Sequence, residues 1–198
     1  MASINYAQRE ITCKIVYYGC AMCGKTTNLR YIHEKMPAQA KGNLVSLDTE
    51  TDRTLFFDFL PLQVENVEGF RTKFQLYTVP GQVFYNATRK LVLRGVDGVV
   101  FVADSQWHRM RDNVESWRNL LDNLGGYGYE VEDIPYVYQY NKRDLDAVAD
   151  VDYIEYLMNN GAKRVPSYYA VATAGPGVFE TLNSICKLVL RKLIDRAA

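Results

Sequence analysis

The chain has 198 residues, 48% of them hydrophobic and 23% charged, the composition of one globular domain (1–198) with a full core and not of a disordered or fibrous protein. Lys and Arg total 23 and Asp and Glu total 23, so no global field favours nucleic acid or an anionic membrane. No apolar run approaches the roughly 20 residues of a membrane helix, so no membrane span is expected.

The start, Met1-Ala2-Ser3-Ile4-Asn5, lacks the features of a signal peptide or a myristoylation site, and the end offers no prenylatable Cys. A cytoplasmic, unlipidated protein is expected, with Cys13, Cys20, Cys23 and Cys186 reduced. Residues 11–18 then form a β-rich apolar strand that runs into a loop at Gly19 and a helix beginning near Thr26. Residues 55–67 and 70–79 read as a hairpin turning at Glu68-Gly69, with Phe74 and Leu76 alternating against polar neighbours. An amphipathic stretch reaches Arg94, a buried-type strand covers 98–103, and a helix spaces Met110, Val114, Trp117, Leu121 and Leu124 along one face. A strand over 135–141, a short helix over 152–158, a strand over 167–172 and a last helix follow. That helix carries Val178, Leu182, Ile185, Val189 and Leu193 on one face. The alternation implies an α/β fold: a mostly parallel central sheet, helices on both faces, and one antiparallel hairpin strand.

Gly19-Cys20-Ala21-Met22-Cys23-Gly24-Lys25-Thr26 fits G-x-x-x-x-G-K-[ST] between a strand and a helix, the setting of a phosphate loop. Glycines let the backbone curl so that its N–H groups and the helix's positive end converge on phosphate oxygens. Lys25 adds a point charge, and the Thr26 hydroxyl suits Mg²⁺. This motif alone does not separate ATP from GTP. Asn141-Lys142-Arg143-Asp144 stands at a strand's C-terminal end, where an open α/β sheet presents its ligand crevice. A carboxylate at Asp144 can accept from N1–H and the 2-amino group of guanine, whereas adenine has an acceptor at N1 and no 2-amino group. The Lys142 stem can lie on the purine face, and Asn141 can tie this loop to the phosphate loop. In Pro80-Gly81-Gln82, the Gly81 N–H suits a γ-phosphate and Gln82 is placed to orient an attacking water.

These motifs, with the later Val171-Ala172-Thr173, stand in the order of the Ras-like small GTPases, which the chain resembles. Residues 14–19, 24–29, 53–61 and 77–86 are more narrowly similar to the MglA-type GTPases of bacterial polarity and gliding motility. The resemblance implies a P-loop small GTPase fold and binding of GTP or GDP with Mg²⁺. It implies contacts from the phosphate loop with Thr27, and from Gly81, Asn141, Lys142, Asp144, Ala172 and Thr173. It makes Thr26 and Thr54 the Mg²⁺ threonines, Arg53 an arginine finger from the same chain, Gln82 the water-positioning residue and Lys25 a catalytic charge. It further implies stimulation by an MglB-like Roadblock-family activator, polarity and motility effectors, recruitment to cell poles, and a monomer when free.

The chain also departs from its relatives. Most Ras-like GTPases carry Asp where Thr78 stands, although MglA-type proteins have Thr, so Mg²⁺ is expected to be held more loosely. The MglA pattern has Gly in place of Ala21, and Pro and Ser in place of Cys20 and Cys23. A methyl at Ala21 is expected to crowd the γ-phosphate and slow hydrolysis ten- to a hundredfold, about 1.4 to 2.8 kcal/mol of misplacement. That keeps open a second reading, a GTP-loaded interaction platform; a third, an ATP-dependent P-loop enzyme, turns on Asp144. Cys20 and Cys23 form a C-x-x-C without a second pair, so neither zinc nor redox chemistry is the leading reading. The thiol at the helix start is expected to be acidified. His33 and His108 suggest no metal, Tyr136, Tyr138 and Tyr140 read as packed, and Lys187, Arg191, Lys192 and Arg196 read as a solvated face.

Overall fold

A computed structural model describes residues 2–48, 54–67, 69–82, 85–161 and 164–197. Its strands are β1 (Ser3–Asn5), β2 (Glu10–Tyr18), β3 (Val45–Asp48), β4 (Thr54–Val67), β5 (Phe70–Thr78), β6 (Gly98–Asp104), β7 (Tyr136–Asn141) and β8 (Ser167–Tyr169). Its helices are α1 (Lys25–Lys35), α2 (Asn86–Leu93), α3 (Met110–Gly125), α4 (Val151–Met158) and α5 (Val178–Ala197). The sheet runs β3-β4-β5-β2-β6-β7-β8, with β1 beside β2. β5, β2, β6, β7 and β8 are parallel, so their C-terminal ends share one rim.

The expected hairpin is β4 against β5, with Gly69 in a left-handed conformation (φ 83°); Glu68, the other turn residue, lies outside the described residues. Two short antiparallel strands extend the expected sheet. β1 pairs with the start of β2, and β3 with β4. Strands of three and four residues are too short to show a period-two pattern. β8 ends at Tyr169 and not at 172, because the Val171 N–H turns away to donate to the Pro176 carbonyl.

β2 divides the core. Its Cys13, Ile15 and Tyr17 face one side, where Leu29 and Ile32 of α1 and Val178, Leu182, Ile185 and Val189 of α5 bury their apolar stripes. Its Val16 and Tyr18 face the other, under Leu93 of α2, Leu120 and Leu124 of α3 and Ile154 of α4. The expected face of α3 needs correction. Leu121 is exposed while Leu120 is fully buried, and the inward stripe includes Asn113, Ser116 and Asn123. Burial of these polar residues is tolerated because each meets a polar partner. Asn113 brackets Asp104, Ser116 accepts from Arg89, and Asn123 donates to Tyr18. Tyr138 and Tyr140 are buried in an aromatic stack on β7 with Phe101 and Trp117 nearby, as the alternating tyrosines suggest. Among the described residues no helix is long and apolar enough to cross a membrane.

Candidate nucleotide site

The phosphate loop leaves β2 at Gly19 and enters α1 at Lys25, with Gly24 as the cap at φ 103°. Only glycine fits at position 24: besides the left-handed backbone, a β-carbon there would lie 2.1 Å from Asn141 Nδ2. The Lys25 ammonium spans the loop, donating to the Gly19 carbonyl at 3.2 Å and the Cys20 carbonyl at 2.7 Å. A charge held at the mouth of a glycine-curled loop, at a helix start, is the arrangement that attracts phosphate.

Beneath the loop, Cys20 and Cys23 are buried, and all four cysteines are free thiols. Burial opposes ionisation of Cys23, yet a hydrogen bond from Cys20 and the Lys25 ammonium, 3.7 Å from its sulfur, outweigh it and lower its pKa. The hydrogen bond to Cys23 and burial push Cys20 upward.

At the rim's far side, Asn141 stitches three segments together. Its Nδ2 donates to the Cys23 carbonyl at 2.8 Å, and its Oδ1 accepts from the Ala172 N–H at 2.9 Å. The phosphate loop, the N-K-x-D loop and the loop after β8 are thereby fixed to one another, the tie expected from sequence. Lys142 adopts φ 65° and pairs with the buried carboxylate of Asp104 at 2.6 Å. Asp144 and Thr173 are exposed, where a base could reach them; Ala172 is buried and Thr27 half-buried.

On the near side, Gly81 packs directly on the phosphate loop: a β-carbon there would come within 2.3 Å of Ala21 Cα and 2.9 Å of the Cys20 carbonyl oxygen. Gln82 follows, half-buried, its carbonyl accepting from the Tyr85 N–H at 3.2 Å. Thr54 opens β4 opposite Asp48. Arg53, Val83 and Phe84 lie outside the described residues.

Several residues at this rim are not marked by the sequence motifs. Asp58, fully buried on β4, accepts from Thr26 Oγ1 at 2.6 Å and Thr78 Oγ1 at 2.7 Å. Its signal is a charged residue inside the apolar run Leu55-Phe56-Phe57-Asp58-Phe59-Leu60. Arg89 of α2 is also fully buried; it donates to Tyr18 Oη at 3.0 Å, Ser116 Oγ at 2.7 Å and the Gly81 carbonyl at 3.3 Å. Arg109 reaches across from the start of α3 to donate to the Ala21 carbonyl at 2.6 Å. Neither arginine belongs to a recognisable spacing.

Among the described residues no group of three or more His, Cys, Asp or Glu could hold a metal by itself. The local chemistry fits Mg²⁺ held jointly by protein and phosphate, because a threonine hydroxyl that donates a hydrogen bond to a carboxylate is electron-rich at oxygen and suits a hard cation.

No protein-family model matches the chain. The mutual gliding-motility protein MglA of Myxococcus xanthus (strain DK1622) is 60% identical over 193 residues, 98% of this chain and 98% of that protein. The chain belongs to the MglA family of small GTPases. A more distant relative, the Ras-related protein rab-39 of Caenorhabditis elegans, is 28% identical over 145 residues, 72% of this chain and 57% of that protein. Members of the MglA family hydrolyse GTP, and the α/β sheet with helices around it agrees with a small GTPase fold.

Proposed function

We propose that the 198 residues form one GTPase domain that binds GTP or GDP with Mg²⁺ and serves as a switch for cell polarity and gliding motility. What supports this reading most is the Asn141 bridge, since it brings the phosphate loop, the base-reading loop and the Ala172 loop to one rim. Phosphates would lie against the loop amides, with Lys25 turning from the Gly19 and Cys20 carbonyls toward β- and γ-oxygens. Asp144 would read guanine, Lys142 cover its face, and Ala172 and Thr173 close the base side. Thr26 and Thr54 would hold Mg²⁺, which when bound neutralises charge on the bridging and terminal phosphate oxygens. Gln82 would orient the attacking water and Arg53 stabilise the transition state, a contribution of about 10³ to 10⁵ in rate for an arginine in such enzymes.

An MglB-like Roadblock-family activator would stimulate the reaction, motility effectors would bind the GTP state, and the protein would be recruited to cell poles. A second reading rests on the tight contact between Gly81 and Ala21: a side chain at 21 hinders the approach of Gln82, and the protein persists as a GTP-loaded platform. Single-turnover hydrolysis of GTP beside ATP, with and without an MglB-type activator, tests both. Asp144→Ala is expected to weaken GTP binding by about a hundredfold through loss of two hydrogen bonds to a charged acceptor, with thermal stability unchanged because the side chain is exposed. Retained guanine preference in Asp144→Ala would refute the base-reading assignment.

A further inference from the structure

Asp58 carries a negative charge into a fully buried position, where an ion without a counter-charge is costly. Among the described residues no Lys, Arg or His nitrogen lies within ion-pair distance of it. Three hydroxyls converge on the carboxylate: Thr26 and Thr78 on Oδ2, and Ser46 on Oδ1. The Asp58 N–H also donates to Thr78 Oγ1 at 2.8 Å, so Thr78 accepts from the backbone and donates to the side chain of one residue and fixes its rotamer. One of the three hydroxyls, Thr26, belongs to the phosphate loop.

We infer that Asp58 is the outer-shell carboxylate of the Mg²⁺ site, accepting a hydrogen bond from the Thr26 hydroxyl as that oxygen ligates the cation. P-loop proteins hold Mg²⁺ with the loop Ser or Thr together with an Asp from a neighbouring strand. Here β5, which abuts the loop, ends in Thr78, and the carboxylate comes instead from β4, one strand further out, held in place by the Thr78 hydroxyl. The cation supplies the positive charge that the described residues around the carboxylate do not. Asp58 is thus a positioning residue that acts on the metal through Thr26, with Thr78 and Ser46 holding it. β4 also begins at Thr54, so a single strand carries both the threonine proposed for the metal and the carboxylate behind it.

The inference rests on the guanine-nucleotide reading, and the two fail differently. Release of N-methylanthraniloyl-GDP from the full chain is followed by fluorescence over a Mg²⁺ titration. Asp58→Asn is expected to raise the Mg²⁺ midpoint by about 10- to 100-fold, the usual effect of losing an outer-shell partner. In EDTA its release rate should equal that of the parent protein, which separates an effect on the metal from an effect on the fold. Thr78→Val, which keeps the shape and removes the hydroxyl that fixes Asp58, should shift the midpoint the same way by less, and it serves as the second variant if Asp58→Asn does not fold. An unchanged midpoint in the variant that folds, or a faster release that persists in EDTA, overturns the role of Asp58. Failure of the parent protein to bind the labelled GDP overturns the nucleotide reading instead.

Discussion

The two sides of the nucleotide rim are built differently. On the β7 and β8 side, two side chains of the N-K-x-D motif do the pinning: Asn141 bonds the phosphate loop and the Ala172 amide, and Lys142 pairs with Asp104. On the β4 and β5 side, the motif residues Gly81 and Thr26 are held by groups from outside any motif, namely Arg89 at the Gly81 carbonyl and Asp58 behind the Thr26 hydroxyl. Motif side chains therefore hold what we propose is the base side, whereas residues outside any motif hold the proposed γ-phosphate side. A switch needs that asymmetry, because the part that senses the third phosphate must be able to change partners while the part that holds the base stays fixed.

The base side offers the larger effect. Asn141→Ala leaves the buried Cys23 carbonyl and Ala172 N–H without their partner, at about 1 to 3 kcal/mol each. It should lower stability in denaturant unfolding by about 2 to 6 kcal/mol and weaken GTP and GDP binding together by at least about a hundredfold. If binding fell while unfolding stayed unchanged, Asn141 would touch only ligand, and the pinned base side would lose its structural basis.

The same division explains what the sequence discloses. Helices α1 and α5 and strands β2, β6 and β7 follow from hydrophobic period and motif context, and the phosphate loop lies where its spacing puts it. The inward face of α3 does not follow, since Asn113, Ser116 and Asn123 are buried for the sake of Asp104, Arg89 and Tyr18, partners outside the helix that no periodicity reveals. Asp58 and Arg89 escape motif reading for the same reason: each acquires its meaning only when β4 or α2 is folded against the loop. Arg53, legible only through family resemblance, falls outside the described residues.

On the γ-phosphate side, Ala21 is the sharpest test. Its backbone lies against Gly81, where a β-carbon would come within 2.3 Å of Ala21 Cα, and on the proposed reading its methyl adds volume where Gln82 approaches. Ala21→Gly should speed single-turnover GTP hydrolysis by about ten- to a hundredfold, equivalent to about 1.4 to 2.8 kcal/mol of barrier, with nucleotide affinity little changed. Equal rates in parent and variant, both stimulated by an MglB-type activator, would show that the loop accommodates the methyl and that the protein is a cycling switch, against the reading of a standing platform.

The smallest effect lies under the loop that joins the two sides. Cys23 is acidified by the Cys20 hydrogen bond and the Lys25 ammonium in spite of its burial, so its thiolate persists to lower pH than an ordinary thiol near about 8.5. Phosphates that draw Lys25 away remove part of that stabilisation, and they also hold the loop closed over the sulfur. Both changes protect the thiol. In nucleotide-free protein, alkylation at Cys23 should therefore rise with pH through a midpoint below the ordinary thiol value and run severalfold faster than with GDP and Mg²⁺ present, while Cys20, pushed the other way, stays unlabelled. Peptide mass spectrometry after timed iodoacetamide treatment reads both sites. Equal labelling in the two states would mean that Lys25 keeps its place beside Cys23 when nucleotide binds, and that the loop lysine belongs with the fixed side of the rim.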